Sequence, residues 1–361
     1  LSCTLLFSVG LVLAQSGANQ VKQQLPISLG TSGGNIRDIT HRFCCSGTLG
    51  AVVADASNTQ FILSNNHVLA DTDTATPGDD ISQPGLVDVG CVLTAANSNT
   101  VAHFSTTKPL GTANIDAALA QVAPGAVSTS GNILEVGIPS STEATPVVGD
   151  AVAKSGRTTG LTCATIGSVS TNVRVQYQRG CGKGKKFTIS YINQVLVNGS
   201  TFSAAGDSGS LIVTQATAQP VALLFAGSST TTIGNPISDV TTAFNVSIVG
   251  GANHAVSCPT AAGAISPAAA SGPLVGSMGR ALLAKEKHAE RLMQDEAVIG
   301  VGVGADPADP SEAVVVVYLE QGQMHGPIPA ELDGVRTLVV RTDAFRAFGW
   351  NEPQPRPCRV Q

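Results

Sequence analysis

The chain is poor in charge and in aromatic rings. Of its 361 residues only 12% are Asp, Glu, Lys or Arg and only 4% are Phe, Trp or Tyr, with one Trp and three Tyr. Charged residues usually make up about a quarter of a globular chain, so this composition excludes a coiled coil, a disordered charged tail and a nucleic-acid coat. The formal net charge of −5 offers no general attraction to phosphate. The one local basic cluster, Arg179, Lys183, Lys185 and Lys186, is set among glycines and reads as a solvated turn. No apolar run is long enough to cross about 30 Å of hydrocarbon. No C-x-x-C pair of the kind that holds zinc is present. The acidic stretch Asp71, Asp73, Asp79 and Asp80 fits no calcium-loop spacing and reads as a solvated loop. Neither a metal, a cofactor, a nucleic acid nor a membrane is therefore expected as a partner.

In place of the missing charge stand Ser, Thr, Asn, Gln and 39 Gly, while a hydrophobic fraction of 43% supplies an ample core. The apolar run Leu5 to Ala14 has the length of a signal-peptide core, with Val12 and Ala14 as the small residues before a cleavage site. Residues 1–14 are thus expected to direct export, followed by a lead-in over 15–43. Cysteine usage agrees: without Cys3 the chain keeps Cys44, Cys45, Cys91, Cys163, Cys181, Cys258 and Cys358, and disulfides are expected. Cys163 and Cys181 flank an alternating, hairpin-like segment and are the expected pair. One of Cys44 and Cys45 could reach Cys91. The odd count leaves one thiol free or paired between chains.

From Cys44 to Val249 short runs rich in Val, Ile, Leu, Thr and Phe are bounded by Gly, Asn, Asp, Pro or Ser. Thr48 to Val53, Phe61 to Ser64, Ala117 to Val122, Ala151 to Lys154, Lys186 to Ile192, Ser210 to Val213 and Val221 to Phe225 read as strands of an all-β barrel or sandwich. Residues 250–276 have the Ala/Pro/Ser/Gly composition of a linker. Beyond it, 277–350 outlines a small α/β module, with a tail over 351–361. The module has a helix over Met278 to Gln294, strands over Val298 to Gly304, Ala313 to Leu319 and Val335 to Val340, and a short helix near Pro329 to Leu332. It holds no evident nucleophile and base, so a folding, docking or inhibitory role is expected of it.

The sharpest motif is Gly206-Asp207-Ser208-Gly209, just before the apolar run Leu211-Ile212-Val213. A serine hydroxyl is a poor nucleophile until a base takes its proton, and acyl transfer needs oxyanion donors already in place. Glycine at 206 would let its own N–H and that of Ser208 share one hole. His67 ends the apolar run Phe61 to Ser64, and Asp116 opens another, Ala117 to Val122, that would bury its carboxylate. A buried acid needs a hydrogen-bonding partner, which a histidine Nδ1–H supplies.

In the order His67, Asp116, Ser208, in their spacing and in the three local motifs, residues 44–249 resemble the trypsin/chymotrypsin-like serine peptidases. The segment Lys154-Ser155-Gly156-Arg157-Thr158-Thr159-Gly160 with Cys163 is similar to the secreted bacterial, α-lytic-protease-like branch. The resemblance implies an all-β fold of two antiparallel six-stranded Greek-key barrels, and an endopeptidase acting on protein or peptide through an acyl-enzyme. It also implies His67 as base and acid, Asp116 as its orienter, Ser208 as nucleophile and the Gly206 and Ser208 amides as oxyanion hole. An internal cation, Lys154 or Arg157, is expected beside Asp207. Phe202 stands where trypsin-type enzymes carry a pocket carboxylate, so cleavage after Arg or Lys is not expected. Phe202, Ser203, Ala226 and Gly227 are the expected pocket residues, favouring a small or apolar side chain. A non-catalytic or autoinhibited binding protein on the same barrels is the alternative.

Overall fold

A computed structural model describes residues 17–41, 43–181, 184–258, 275–347 and 356–357. The expected signal segment, most of the linker, most of the tail and Cys358 lie outside the described residues. Two antiparallel barrels account for the described residues up to Cys258, with the helix-and-sheet module joined to the second.

The first barrel is a sheet of eight strands. In spatial order they are Ser247–Ile248, Ala51–Ala54, Gln60–Ser64, Ala118–Val122, Asn99–Thr107, Asp80–Gln83, Thr31–Asn35 and Gly47–Leu49. The lead-in thus supplies one strand, Thr31–Asn35. Gly47–Leu49 runs on across Gly50 into Ala51–Ala54, bringing the two ends of the sheet together. β-Branched and aliphatic residues, among them Val52, Ile62, Leu63, Val101 and Leu119, are buried in one core cluster.

In the second barrel the strands run Lys186–Asn198, Thr231–Pro236, Pro220–Gly227, Leu211–Thr214, Ala151–Gly156 and Gly160–Gln178, and the last pairs back onto the first. That closes a ring of six, packed around Val152, Ile166, Val197, Ile212 and Leu224. Gly160–Gln178 and Lys186–Asn198 are longer than a barrel wall needs, and their ends project as a hairpin.

The hairpin carries the module. Val298–Ala305 pairs antiparallel with Gly160–Gln178, then with Ala313–Glu320, which pairs in parallel with Val335–Thr342. Helix Val275–Leu292 lays Ala281, Ala284, Ala289 and Leu292 over Val301, Val303, Val315 and Val317. The expected short helix near Pro329 is instead the strand Glu331–Leu332. A tight turn returns it onto Val335–Thr342, and the backbone groups that a one-turn helix would leave open are paired in the sheet. On the far face of the sheet, Val173, Val175, Tyr177 and Tyr191 of the hairpin and Phe225 and Ala226 of the barrel share one apolar cluster with Ile299, Val314, Val316, Tyr318, Phe345 and Ala347 of the module.

Three disulfides are present: Cys44–Cys91, Cys45–Cys181 and Cys163–Cys258. Of the two adjacent cysteines it is Cys44 that reaches Cys91. The expected Cys163–Cys181 pair is not formed. Cys163 sits in the barrel wall opposite Ala153, whereas Cys181 is at the hairpin tip, roughly 60 Å of extended strand further on. Packing continues past Val249, since Val256 is buried and Cys258 is bridged to the barrel. No described helix is long and apolar enough to cross a membrane.

Candidate active site

His67 lies in the one-turn helix Asn66–Leu69, which caps the strand Gln60–Ser64, and Asp116 lies just before Ala118–Val122, the neighbour of that strand. Adjacency in the sheet brings the two together. Nδ1 of His67 is 2.6 Å from Asp116 Oδ2, both side chains fully buried. Because an ionised carboxylate can only accept, Nδ1 carries the proton and Nε2 is left as the basic nitrogen. The aspartate is fixed along its length: its N–H donates to Asn235 Oδ1 at 2.9 Å, and Asn65 Nδ2 donates to its carbonyl at 2.8 Å.

A third contact was not foreseen from the sequence. The Tyr177 hydroxyl donates to Asp116 Oδ2 at 2.8 Å and lies 2.7 Å from the Tyr191 hydroxyl. Burial, and the Asp116 charge beside it, push Tyr177 well above the usual phenol range, so it remains a donor.

Ser208 follows two anchored peptide planes. The Ala205 carbonyl accepts from Thr158 Oγ1 at 2.7 Å, and the Asp207 carbonyl accepts from Ser210 Oγ at 2.6 Å. In a trans peptide the N–H points opposite to the carbonyl, so the N–H groups of Gly206 and Ser208 are both turned away from these anchors. Gly206 adopts φ +97°, open to glycine but strained for other residues. At Gly209, φ is +96°, and a Cβ would come within 2.2 Å of the Thr48 carbonyl and 2.1 Å of Ser64 Oγ. Only glycine therefore lets the Ser208 loop lie against the strand that leads to His67.

The cation beside Asp207 is Lys154, 3.5 Å from Oδ2 with both side chains fully buried. Asp207 also accepts from the N–H groups of Thr158 and Ala204 and from Thr159 Oγ1. Burial pulls Lys154 below the usual ammonium range while Asp207 draws it back up. Arg157, the other expected partner, turns away: its guanidinium forms a two-pronged pair with Asp88 at 2.7 Å on each side. That fork suits a planar guanidinium, whereas the closed space at Asp207 suits a point charge.

Phe202 is buried in the apolar cluster of the second barrel with its ring 5.9 Å from Lys154 Nζ, and Ser203 is buried beside Thr232. Ala226 packs in the cluster shared with the module. Gly227 makes the most informative contact. Its carbonyl accepts from Arg346 N–H at 2.9 Å and its N–H donates to the Arg346 carbonyl at 3.0 Å, an antiparallel pair with the end of the module. On its other edge the same segment pairs with Gln176, whose N–H donates to Phe345 O at 2.8 Å and whose carbonyl accepts from Ala347 N–H at 3.1 Å. The Ser208 hydroxyl donates to the Ala347 carbonyl at 3.1 Å.

Of the remaining groups, His103 pairs with Asp80 at the surface, and Asp73 is taken up by Asn66 and Leu110. Among the described residues, the one cluster with metal-like spacing is Asp38, Cys45 and Cys181, and its two sulfurs are joined to each other.

Neither a protein-family model nor a curated protein sequence matches the chain. Solved structures of bacterial chymotrypsin-like serine proteases do align with it. A glutamic-acid-specific serine protease aligns at 19% identity over 62% of this chain and 100% of its own, with a TM-score of 0.44. The chymotrypsin of Cellulomonas bogoriensis aligns at 16% over 62% and 99%, TM-score 0.42. Thermobifida fusca protease A aligns at 18% over 61% and 98%, TM-score 0.40. At these identities the likeness concerns the fold alone.

Proposed function

We propose that the chain is a serine endopeptidase that works outside the cytoplasm. The observation that carries this reading is a peptide carbonyl, that of Ala347, meeting the Ser208 hydroxyl at 3.1 Å at the end of a strand laid antiparallel on Gly227. A substrate strand laid on the same edge would present its own carbonyl to the same hydroxyl. In the reaction His67 takes the proton of Ser208 as Oγ bonds to the substrate carbonyl carbon. The Gly206 and Ser208 N–H groups hold the resulting oxyanion, each donor of this kind supplying about 2.7–4 kcal/mol. His67 then gives the proton to the leaving amine as the C–N bond breaks, and water, activated in the same way, releases the acyl group. Asp116 keeps the tautomer and steadies the imidazolium. Phe202 where a pocket carboxylate would stand, and the small Ser203, Ala226 and Gly227, support cleavage after small or apolar residues rather than Arg or Lys. Three disulfides support an oxidising compartment.

The same strand supports a second element of the reading: in the full-length chain, Phe345 to Ala347 fill the cleft and hold the enzyme latent. A fluorophosphonate that labels active serines tests both. A chain ending at Asp343, which keeps every module strand through Thr342, is expected to label at Ser208 faster than the full chain, and His67→Ala to abolish labelling in either. If neither length labels while both are folded, the peptidase reading fails; equal rates dispose of latency alone.

A further inference from the structure

The second barrel's hairpin places a donor on the triad carboxylate that the acyl-transfer scheme does not require. Tyr177 is the next-to-last residue of the strand Gly160–Gln178, opposite Phe187 in register, and their rings stack at 5.5 Å and 22°. Its neighbour Gln176 is pinned by the two backbone bonds to Phe345 and Ala347. Behind it Tyr191, from the returning strand, is held edge-on by Phe225 at 5.0 Å. Both phenols are buried. The carboxylate accepts only, so the protons along this row have one consistent order: Tyr191 donates to Tyr177, and Tyr177 donates to Asp116 Oδ2, the oxygen that also receives His67 Nδ1–H.

We propose that Tyr177, backed by Tyr191, is a positioning residue for the triad. It fixes Asp116 Oδ2 for the imidazole and takes up part of the negative charge that would otherwise be directed at His67. The inference rests on the triad reading above and adds a residue to it. Two donors on one oxygen compete for its electron density, so the carboxylate binds the His67 proton less tightly than it would alone. The ionisable groups facing this row are Asp116 and His67 at one end and, toward Tyr191, Asp73 on the loop after His67. Arg179 lies over the Phe187 ring, on the outer side of the stack.

The test is Tyr177→Phe in the full chain. The substitution keeps the ring and its stack and removes only the hydroxyl. The proton shared by His67 Nδ1 and Asp116 is followed as a low-field NMR resonance against pH, a readout that needs no turnover and no open cleft. The pH at which this resonance responds to imidazole protonation is expected to rise by about half to one unit, a three- to tenfold gain in proton affinity. Tyr191→Phe, which leaves Tyr177 on the carboxylate but unbacked, is expected to shift it in the same direction by less. An unchanged response in a folded Tyr177→Phe chain overturns the inference. Should Tyr177→Phe fail to fold, an unchanged response in Tyr191→Phe does the same. Because the resonance belongs to the His67–Asp116 pair, either result stands whether or not Ser208 labels.

Discussion

Asp38 shows how burial and a like charge act together on one side chain. Its carboxyl is buried beside the Cys45–Cys181 bridge. Burial, with the Asp71 carboxylate next to it, pushes its proton affinity well above the ordinary carboxylate range. A raised value means that the folded chain binds this proton more tightly than the unfolded one. Its contribution to stability is therefore complete below the ordinary value and is lost as pH rises through the raised one. Asp38→Asn cannot ionise and keeps the shape. From about pH 4 to about pH 8 the wild-type Tm is expected to fall relative to that of the variant, as measured by calorimetry, whereas parallel Tm curves would mean that Asp38 carries no such penalty. At Lys154 burial likewise disfavours the charged form and pulls the ammonium below its usual range, while the oppositely charged Asp207 beside it draws it back up.

Among the elements, the strands were legible because their bounding residues are local signals. Apolar runs of Phe, Ile, Leu, Val and Ala between Gly, Asn, Asp and Pro mark Gln60–Ser64, Ala118–Val122 and Pro220–Gly227 to within a few residues. Ser208, His67 and Asp116 stand out as candidates for the same reason, each lying near the end of such a run. What no local pattern encodes is pairing between distant stretches. Tyr177 reaches Asp116 only because the hairpin folds over the first barrel, and the true cysteine partners follow from that same packing. The bridge Cys163–Cys258 closes a separation of 95 residues and ties the end of the double-barrel unit to the wall of the second barrel. Replacing both cysteines by Ala is expected to cost about 2–4 kcal/mol, a fall in Tm of roughly 5–15 °C. Ser208 labelling should persist below the new midpoint, since neither cysteine meets the triad. An unchanged Tm would show that the bridge adds nothing to the surrounding packing.

Over the whole molecule, the three tyrosines of a chain scarce in aromatics share one apolar cluster: Tyr177 and Tyr191 behind Asp116, and Tyr318 in the module, edge-on to Phe345 at 5.8 Å and within 2.9 Å of Ser168 Oγ. The surface that docks the module is thus the one that supports the Asp116 carboxylate. Lys285 donating to Asn172 and Ser228 paired with Thr342 close its two ends. The segment Phe345 to Ala347 is itself held by backbone bonds, which accept most side chains but not the loss of an N–H. Arg346→Pro removes the donor to the Gly227 carbonyl and leaves the module's strands intact. One lost hydrogen bond, with the strain of the ring, is worth on the order of 1–2 kcal/mol, so occupancy of the cleft should fall roughly tenfold and the labelling rate of Ser208 rise by the same factor. Arg346→Ala keeps the N–H and should label within about twofold of the wild type. If the proline variant folds and labels no faster than the alanine variant, the segment rests in the cleft without gating it, and latency must be sought in the docked module as a whole.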